Sequence, residues 1–295
     1  MLNQALTSAL DDLVALTLNL PDAALDINWG WRDYIEEGIR FAFFRTYEEL
    51  LDLSLAFADL RAQTAPITTA QRILGQYHAA YLDLRALCLG VSDELAMRPP
   101  ADEEWPAQNA LAHLVGADLG FYGVITFALE KHRAGTWTPD AKITDAEWDR
   151  LLGLTEAGYE AFLKQPFVDL ENGHREWHVR ILREFSAISE AELALPSKFW
   201  EKTSMPIRFR LGRFNSHLRQ HTIQIEKTLL AVAPLPNEAH RLNRLLHAAL
   251  AEVDAALLGT DPDQDPYAAP CHALAQTLTQ RHAEIAEALI SQTSA

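Results

Sequence analysis

The apolar residues of the chain recur mainly at intervals of three and four positions, the spacing that places side chains on one face of an α-helix. The 13 glycines and 14 prolines lie mostly between these periodic segments rather than inside them, which is typical of helices joined by short turns. The pattern predicts an all-α fold. Its predicted helical segments are residues 2–18, 33–60, 71–95, 107–132, 144–163 (one or two short helices), 169–192, 209–233, 237–258 and 271–290.

The segment 107–132 is apolar around almost its whole circumference. Leu111 and Val115 lie along one side, while Gly116 and Gly120 are among the small residues along the other. A helix that is apolar all round is buried by its neighbours. We therefore predict that this segment forms the central helix of the fold.

Length and an internal similarity both bear on the domain organisation. At about 150 residues per domain, a chain of 295 residues corresponds to about two domains. Residues 2–50 and 73–126 each consist of a helix, a polar loop that contains tryptophan, and an apolar helix. His113 follows Trp105 by eight positions, and the equivalent position of the first segment holds Ile39. A degenerate repeat would explain the similarity, and so would the general likeness of helical hairpins.

Charge and composition exclude several classes of partner. The chain has 41 acidic and 25 basic residues, and its formal charge of −16 repels nucleic-acid phosphates and anionic lipid surfaces. Apolar residues make up 48% and charged residues 22%, the mix of a folded globular protein without a membrane span. Cys88 and Cys271 are too few for a disulfide framework, and acidic residues near the N-terminus argue against a signal peptide. We expect a cytoplasmic protein that binds neither nucleic acid nor membranes.

The most informative spacing is that of His217 and His221 within FNSHLRQHTIQIEKTL. Side chains four residues apart lie on one helical face with Cβ atoms about 5–6 Å apart, so two imidazoles can bind one ion. Phe214 and Ile225 share this face, which indicates that both rings point toward the core. Gln224 lies one turn further on, where its amide can hydrogen-bond a metal ligand. A metal ion would satisfy both buried rings, and so would a polar network.

His113 is a candidate third ligand. It lies on the face of the central helix that carries Gly116 and Gly120, where small side chains leave space beside an imidazole. The alternative is a core histidine that is bonded to a carbonyl group. Together with the histidine pair, it would leave one coordination position open to water or a thiol, as in catalytic sites of the zinc type.

A second pair with the same spacing, His174 and His178, lies in the first turns of segment 169–192. Charged residues crowd both flanks, so we interpret the pair as rim residues or as neighbours of Trp177. The remaining histidines have no such partner and are expected at the surface or at helix ends. They are His78, His132, His240, His247, His272 and His282.

Arg213 and Cys88 each have a structural and a chemical interpretation. Arg213 precedes His217 by one turn, where it would hold an anionic group of a substrate or pair with acidic residues of the preceding loop. Cys88 lies between two leucines and is interpreted as a buried apolar residue rather than a nucleophile. The sequence contains no glycine-rich phosphate loop, serine elbow or Cys-x-x-Cys motif.

Two stretches of the chain resemble a known family. Residues 105–121, WPAQNALAHLVGADLGF, resemble the second-helix signature of the DinB/YfiT-like metalloenzyme superfamily, in which a tryptophan precedes His-Leu near the helix start. Residues 214–229 resemble the fourth-helix signature of that superfamily with its His-x-x-x-His. The resemblance covers roughly residues 67–233. The three histidine positions of the family correspond to His113, His217 and His221.

The resemblance implies a four-helix bundle with an unusual order of helices, which holds one divalent ion, commonly zinc or nickel, on three histidines. Characterised relatives include thiol-dependent S-transferases and a mycothiol-dependent maleylpyruvate isomerase, in which the metal activates a low-molecular-weight thiol. The chain would then consist of an N-terminal helical extension (1–66), the bundle (67–233) and a C-terminal helical hairpin (234–295).

Three hypotheses follow. In the first, the protein uses its metal to transfer a thiol to a small-molecule electrophile or to hydrolyse a small molecule. In the second, residues 1–66 and 234–295 form a helical binding or dimerisation module, and the metal is structural or absent. In the third, these segments combine into a degenerate second bundle. A monomeric protein in solution would favour this third hypothesis, and a homodimer would count against it. An open coordination position supports the first hypothesis, and a fourth protein ligand or a sealed core supports the second.

Overall fold

Helices account for most of the structure, a computed structural model that describes residues 3–139, 141–201, 203–233 and 236–293. The all-α class is confirmed. The α-helices in these ranges are α1 (Gln4–Thr17), α2 (Ile39–Thr64), α3 (Thr69–Cys88), α4 (Asp93–Ala96), α5 (Ala107–Arg133), α6 (Asp145–Leu152), α7 (Glu156–Leu163), α8 (Phe167–Phe185), α9 (Glu190–Leu193), α10 (Ile207–Val232), α11 (Glu238–Leu257) and α12 (Ala268–Thr293), and a short 3-10 helix spans Asp22–Asp26. Two-residue strands β1 (Pro196–Ser197) and β2 (Met205–Pro206) pair antiparallel before α10.

Several helix ends differ from the predicted ones because capping residues interrupt the periodicity. The helix predicted over 33–60 begins only after Gly38, whose φ of +59° is costly for a residue with a side chain. The next predicted segment is divided near Gly90, which has a φ of +74°. Segment 169–192 is divided by the capping box that begins at Ser189. The predicted helix start at residue 2 lies outside the described residues.

The chain divides into two compact units. The first unit consists of Met1–Ile67, Arg85–Gly90 and Pro234–Ala295, and the second consists of Thr68–Leu84 and Val91–Ala233. The two terminal segments, 1–66 and 234–295, thus belong to the same unit.

The first unit is a four-helix bundle. Helix α1 packs against α12 and α2 packs against α11, while contacts of α2 with α12 and of α1 with α11 complete the bundle. Arg281 is buried in this core, where Glu49 and Thr46 accept its hydrogen bonds at 2.9 and 2.6 Å. Ile39, the counterpart of His113 in the internal similarity, is fully buried. The terminal segments therefore build the second bundle that the third hypothesis describes.

The second unit is a bundle of α5, α8, α10 and residues 69–84 of α3. Helix α5 packs against α8 and α10, and the short helices α6 and α7 also lie against it. Tyr77 of α3 joins these helices, because its hydroxyl donates to Asp118 of α5 at 2.8 Å and its ring lies 5.0 Å from that of Phe214 of α10. Helix α5 is therefore central to this unit, as predicted.

Helix α5 is also the one helix in the described part of the chain whose length and hydropathy would suffice to cross a membrane. Of its most apolar stretch, 67% is buried inside the protein. Burial of this kind is what a central bundle helix requires, and core helices commonly meet the same length and hydropathy criteria.

Candidate metal site

The three histidines selected from sequence spacing lie together in the second unit. His113 is in the second turn of α5, and His217 and His221 are near the middle of α10. Because α5 packs along α10, the rings meet between the two helices. One potential ligand atom of each histidine lies within 4.8 Å of those of the other two. Their role as metal ligands stays a prediction.

The distances within the cluster suit a metal ion. Nε2 of His217 and Nε2 of His221 are 3.1 Å apart. A tetrahedral ion with bonds of about 2.0–2.1 Å to nitrogen would hold its ligand atoms about 3.3 Å apart, so this pair needs almost no adjustment. The ring of His113 lies 4.7 Å from that of His221 and 5.3 Å from that of His217. Since His113 is exposed, its side chain is free to complete the set.

Burial keeps both histidines of α10 neutral at pH 7. Burial, together with the neighbouring His221, His113 and Arg213, lowers the pKa of His217 to about 4. Burial also lowers the pKa of His221, although a hydrogen bond to Gln224 opposes the shift. Neutral imidazole is the form that binds a metal.

A hydrogen bond orients the ring of His221, whereas one ring nitrogen of His217 has no hydrogen-bond partner among the described residues. Nδ1 of His221 lies 2.8 Å from Oε1 of Gln224, so the amide contact expected from the sequence is present. His217 has one nitrogen against His221, and its buried Nδ1 has no hydrogen-bond partner among the described residues. Hydrogen bonding within the protein therefore does not satisfy the His217 ring, which disfavours the alternative of a self-contained polar network.

Aromatic rings border the cluster on two sides. The ring of Trp105 lies 5.6 Å from that of His113 and is 46% exposed. The ring of Phe121 meets that of His217 edge-on at 5.9 Å. The site is thus apolar on its inner side and open to solvent on the side of His113.

One interpretation of Arg213 was that it pairs with acidic residues of the preceding loop, and the described residues do not show this pairing. The loop acid Glu201 binds the buried Arg210 instead, with Nη2 and Oε2 2.6 Å apart. Among the described residues Arg213 has no carboxylate partner. Its Nη1 donates to Ser216 at 3.3 Å, and its guanidinium lies 6.0 Å from the ring of Phe121. A cation without an ion pair thus lies close enough to His217 to lower its pKa.

The other histidine pair is buried, so its interpretation as rim residues was wrong. His174 donates from Nε2 to Oδ2 of Asp118 at 3.0 Å, while Nε2 of His178 lies 2.8 Å from Nδ1 of His78. All four side chains are fully enclosed in the second unit. The charged neighbours lie on other faces of α8, which a linear reading of flanking residues does not reveal.

His78, His240 and His247 are also buried rather than at the surface, whereas Cys88 is buried as predicted.

Asp118 is the centre of this buried network, and sequence reasoning missed it. Burial raises the pKa of its carboxyl group, while the hydrogen bonds from His174 and Tyr77 lower it. Burial also holds the pKa of His178 well below its ordinary value, so that ring is neutral. An acid in the middle of a helix that is apolar nearly all round was the available signal, because a buried carboxylate requires partners.

The glycine face of α5 borders a cavity of about 320 Å³. A Cβ atom at Gly116 would lie 2.9 Å from Oη of Tyr159, and one at Gly120 would lie 3.2 Å from Cζ of Phe199. The small residues that follow His113 thus leave space on this face of α5. Aromatic rings fill part of that space, and the cavity occupies the rest. Sequence reasoning did not single out its walls, which come from α6, α7 and the loop before α10. The lining residues are Gly116, Gly120, Asp145, Trp148, Asp149, Leu152, Leu154, Thr155, Glu156, Tyr159 and Phe199.

Comparison with known proteins identifies the family of the chain. The sequence model of the DinB superfamily matches residues 76–225, about half of the chain, and this range includes all three histidines. No curated protein and no solved structure gives a significant match. The helical bundle, the histidine cluster and the extent of the family match lead to one conclusion: the chain belongs to the DinB superfamily.

Proposed function

We propose that the second unit binds one divalent metal ion, zinc or nickel, through His113, His217 and His221. The proposed chemistry is transfer of a low-molecular-weight thiol to a small electrophile or hydrolysis of a small molecule. One observation carries the proposal: two buried neutral imidazoles approach within 3.1 Å, and a third histidine lies within 4.8 Å. Family membership supports metal binding and leaves the reaction open.

The donor set favours a catalytic over a structural ion. Imidazole nitrogens suit zinc, nickel and other late first-row ions. In the described ranges, no fourth histidine, cysteine or carboxylate joins the cluster, and His113 is exposed to solvent. Structural zinc sites are usually closed by four protein ligands, whereas catalytic sites keep a position open. A divalent ion held in this way lowers the pKa of a water or thiol bound to it, to about 7 for water, and polarises acyl oxygens.

The surrounding side chains have separate tasks in this proposal. Gln224 orients the ring of His221 so that its Nε2 is available as a ligand. Phe121 shields His217 on the inner side of the site, and Trp105 borders His113 on the open side. Arg213, which has no carboxylate partner within the described residues, attracts an anionic group of the thiol or the electrophile. A non-catalytic protein stays the alternative, but the openness of the site favours chemistry.

Metal analysis of the full-length protein, purified without chelator, tests the ligand set. We expect about one equivalent of zinc or nickel in the wild type and close to none in His217→Ala. The exposed His113→Ala variant serves as a second test, since its loss should not disturb the core. His272→Ala, which changes an exposed histidine of α12, is the matched control and should keep the wild-type metal content. Wild-type protein that takes up neither ion, or a His217→Ala variant that retains it, contradicts the proposal.

The reaction class needs its own assay. Consumption of cysteine by a model electrophile should be accelerated by metal-loaded wild type and by the His272→Ala control. It should not be accelerated by His113→Ala. Stoichiometric metal without any acceleration would leave the metal site supported and contradict the thiol-transfer reaction.

A further inference from the structure

The cavity against the glycine face of α5 lies close to the histidine cluster. Gly116 and Gly120 follow His113 by three and seven residues and therefore share its helical face. At a rise of about 1.5 Å per residue, they lie about 5 and 10 Å along the helix from His113. A molecule in the cavity would thus reach Gly116, about one helical turn from His113. Its volume of about 320 Å³ is within the range of small-molecule pockets.

The walls of the cavity are mostly aromatic and aliphatic. Trp148, Tyr159 and Phe199 contribute rings, and the ring centroids of Trp148 and Phe199 are 6.5 Å apart. Leu152 and Leu154 add apolar surface. Flat apolar groups fit between such walls, and the faces of aromatic rings also attract cations.

The charged residues that line the cavity are all acidic. Asp145, Asp149 and Glu156 have no ion-pair partner in the described part of the chain, and no lysine or arginine lines the cavity. The neighbouring basic residues are used elsewhere, since Lys131 pairs with Glu147 and Arg150 pairs with Glu130.

Asp149 is the most informative of the three acids. Asp145 and Glu156 occupy the first turns of α6 and α7, where a carboxylate also stabilises the helix terminus. Asp149 lies later in α6 and is half-buried, so helix capping does not explain it. An unpaired, half-buried carboxylate next to aromatic walls favours a ligand of positive charge.

We infer that this cavity binds an organic ammonium compound with a flat apolar body, whose cationic group lies at Asp149 and between the aromatic rings. As a statement about the substrate of the metal site, the inference rests on the proposed function. As a statement about binding, it rests on the cavity alone.

Three probes of similar size and different charge test the inference by calorimetric titration of the full-length protein. They are phenethylammonium, the neutral 2-phenylethanol and the anionic 3-phenylpropionate. We expect phenethylammonium to bind about tenfold more tightly than 2-phenylethanol, and 3-phenylpropionate to bind least. Equal affinity for the cation and the alcohol, or no binding of the cation at millimolar concentration, would overturn the inference.

Variants locate the binding site. Asp149→Asn should weaken phenethylammonium binding about tenfold and leave 2-phenylethanol binding unchanged. Trp148→Leu should weaken the binding of both probes. Glu160→Gln is the matched control, because Glu160 is exposed on α7, pairs with Lys164 and does not line the cavity. Unchanged affinity in Asp149→Asn would overturn the assignment of the cationic subsite.

Titration of metal-free protein and of His113→Ala separates the two proposals. Selective cation binding by a protein that takes up no metal contradicts the proposed function and supports the pocket. Metal uptake without cation binding contradicts the pocket and leaves the metal site supported.

Discussion

His221 donates the hydrogen of its Nδ1 to Oε1 of Gln224 across 2.8 Å, which leaves the lone pair of its Nε2 directed at His217. The two residues are three positions apart on α10, so the contact is built into a single helix. A bond of this kind fixes both the tautomer and the ring orientation of a metal ligand. The state of the His221 ring that binds a metal is therefore present before the ion arrives.

Loss of this contact should weaken metal binding. Gln224→Leu removes the acceptor, so the His221 ring is free to rotate and to protonate at Nε2. We expect the affinity for zinc or nickel to fall by about 10- to 100-fold, measured by competition with a chromophoric chelator. Gln220→Leu changes an exposed amide on the same helix and should leave the affinity unchanged. Equal affinities in the two variants would show that Gln224 does not support the site.

Removal of Asp118 should destabilise the second unit far more than removal of one of its donors. Asp118→Ala leaves the hydroxyl of Tyr77 and the Nε2 of His174 without their buried acceptor. We expect a loss of about 3 kcal/mol in the free energy of unfolding, against about 1 kcal/mol for Tyr77→Phe. Urea titrations followed by circular dichroism measure both. Similar losses in the two variants would contradict the central position of Asp118 in the network.

The helices and the histidine cluster were predictable because both are local in origin. Helix periodicity needs only neighbouring residues, and the spacing of His217 and His221 fixes their common face. The choice between Arg210 and Arg213 as partner of Glu201 was not predictable in this way. It depends on the path of the loop before α10, which brings the acid to one arginine and leaves the other beside Phe121.

The other differences between the sequence-based predictions and the structure arise because helices distant in sequence bury the side chains concerned. His174 and His178 have the same spacing as the metal-site pair, but their environment is set by α3 and α5. Likewise, the cavity walls at Trp148 and Phe199 meet only because separate segments pack on α5. Contacts between residues so far apart in sequence leave no periodic signal along the chain.

Two glycine substitutions should have opposite effects. A Cβ atom at Gly123 would lie 2.1 Å from the ring of Trp148, whereas one at Gly212 would meet nothing within 4 Å. Gly123→Ala must displace the ring and should lower the free energy of unfolding by about 1–2 kcal/mol. Gly212→Ala should raise it by about 0.5–1 kcal/mol, because alanine restricts the unfolded chain and favours the helix. Thermal or urea unfolding measures both, and shifts of the same sign would contradict the packing of Trp148 against α5.

His247 should make the first unit sensitive to acid. Its ring is fully buried in α11, where Nδ1 donates to the carbonyl oxygen of Asn243 at 2.9 Å and Nε2 has no hydrogen-bond partner among the described residues. Burial lowers the pKa of His247 to about 4, and the Asn243 contact opposes the shift only in part. In the unfolded chain the pKa of a histidine is about 6.5.

The sign of the effect follows from proton binding. Between pH 6.5 and pH 4 the unfolded chain binds a proton at His247 that the folded protein excludes, so stability is complete above this window and is lost as the pH falls. The difference of about 2.5 pKa units corresponds to about 3 kcal/mol. His247→Leu should therefore reduce the loss of unfolding free energy between pH 7 and pH 4 by about 3 kcal/mol, as measured by urea titration at each pH. His272→Leu, an exposed position of α12, should leave the pH dependence as in the wild type. Parallel pH profiles for the wild type and His247→Leu would show that this histidine is not the acid-sensitive group of the first unit.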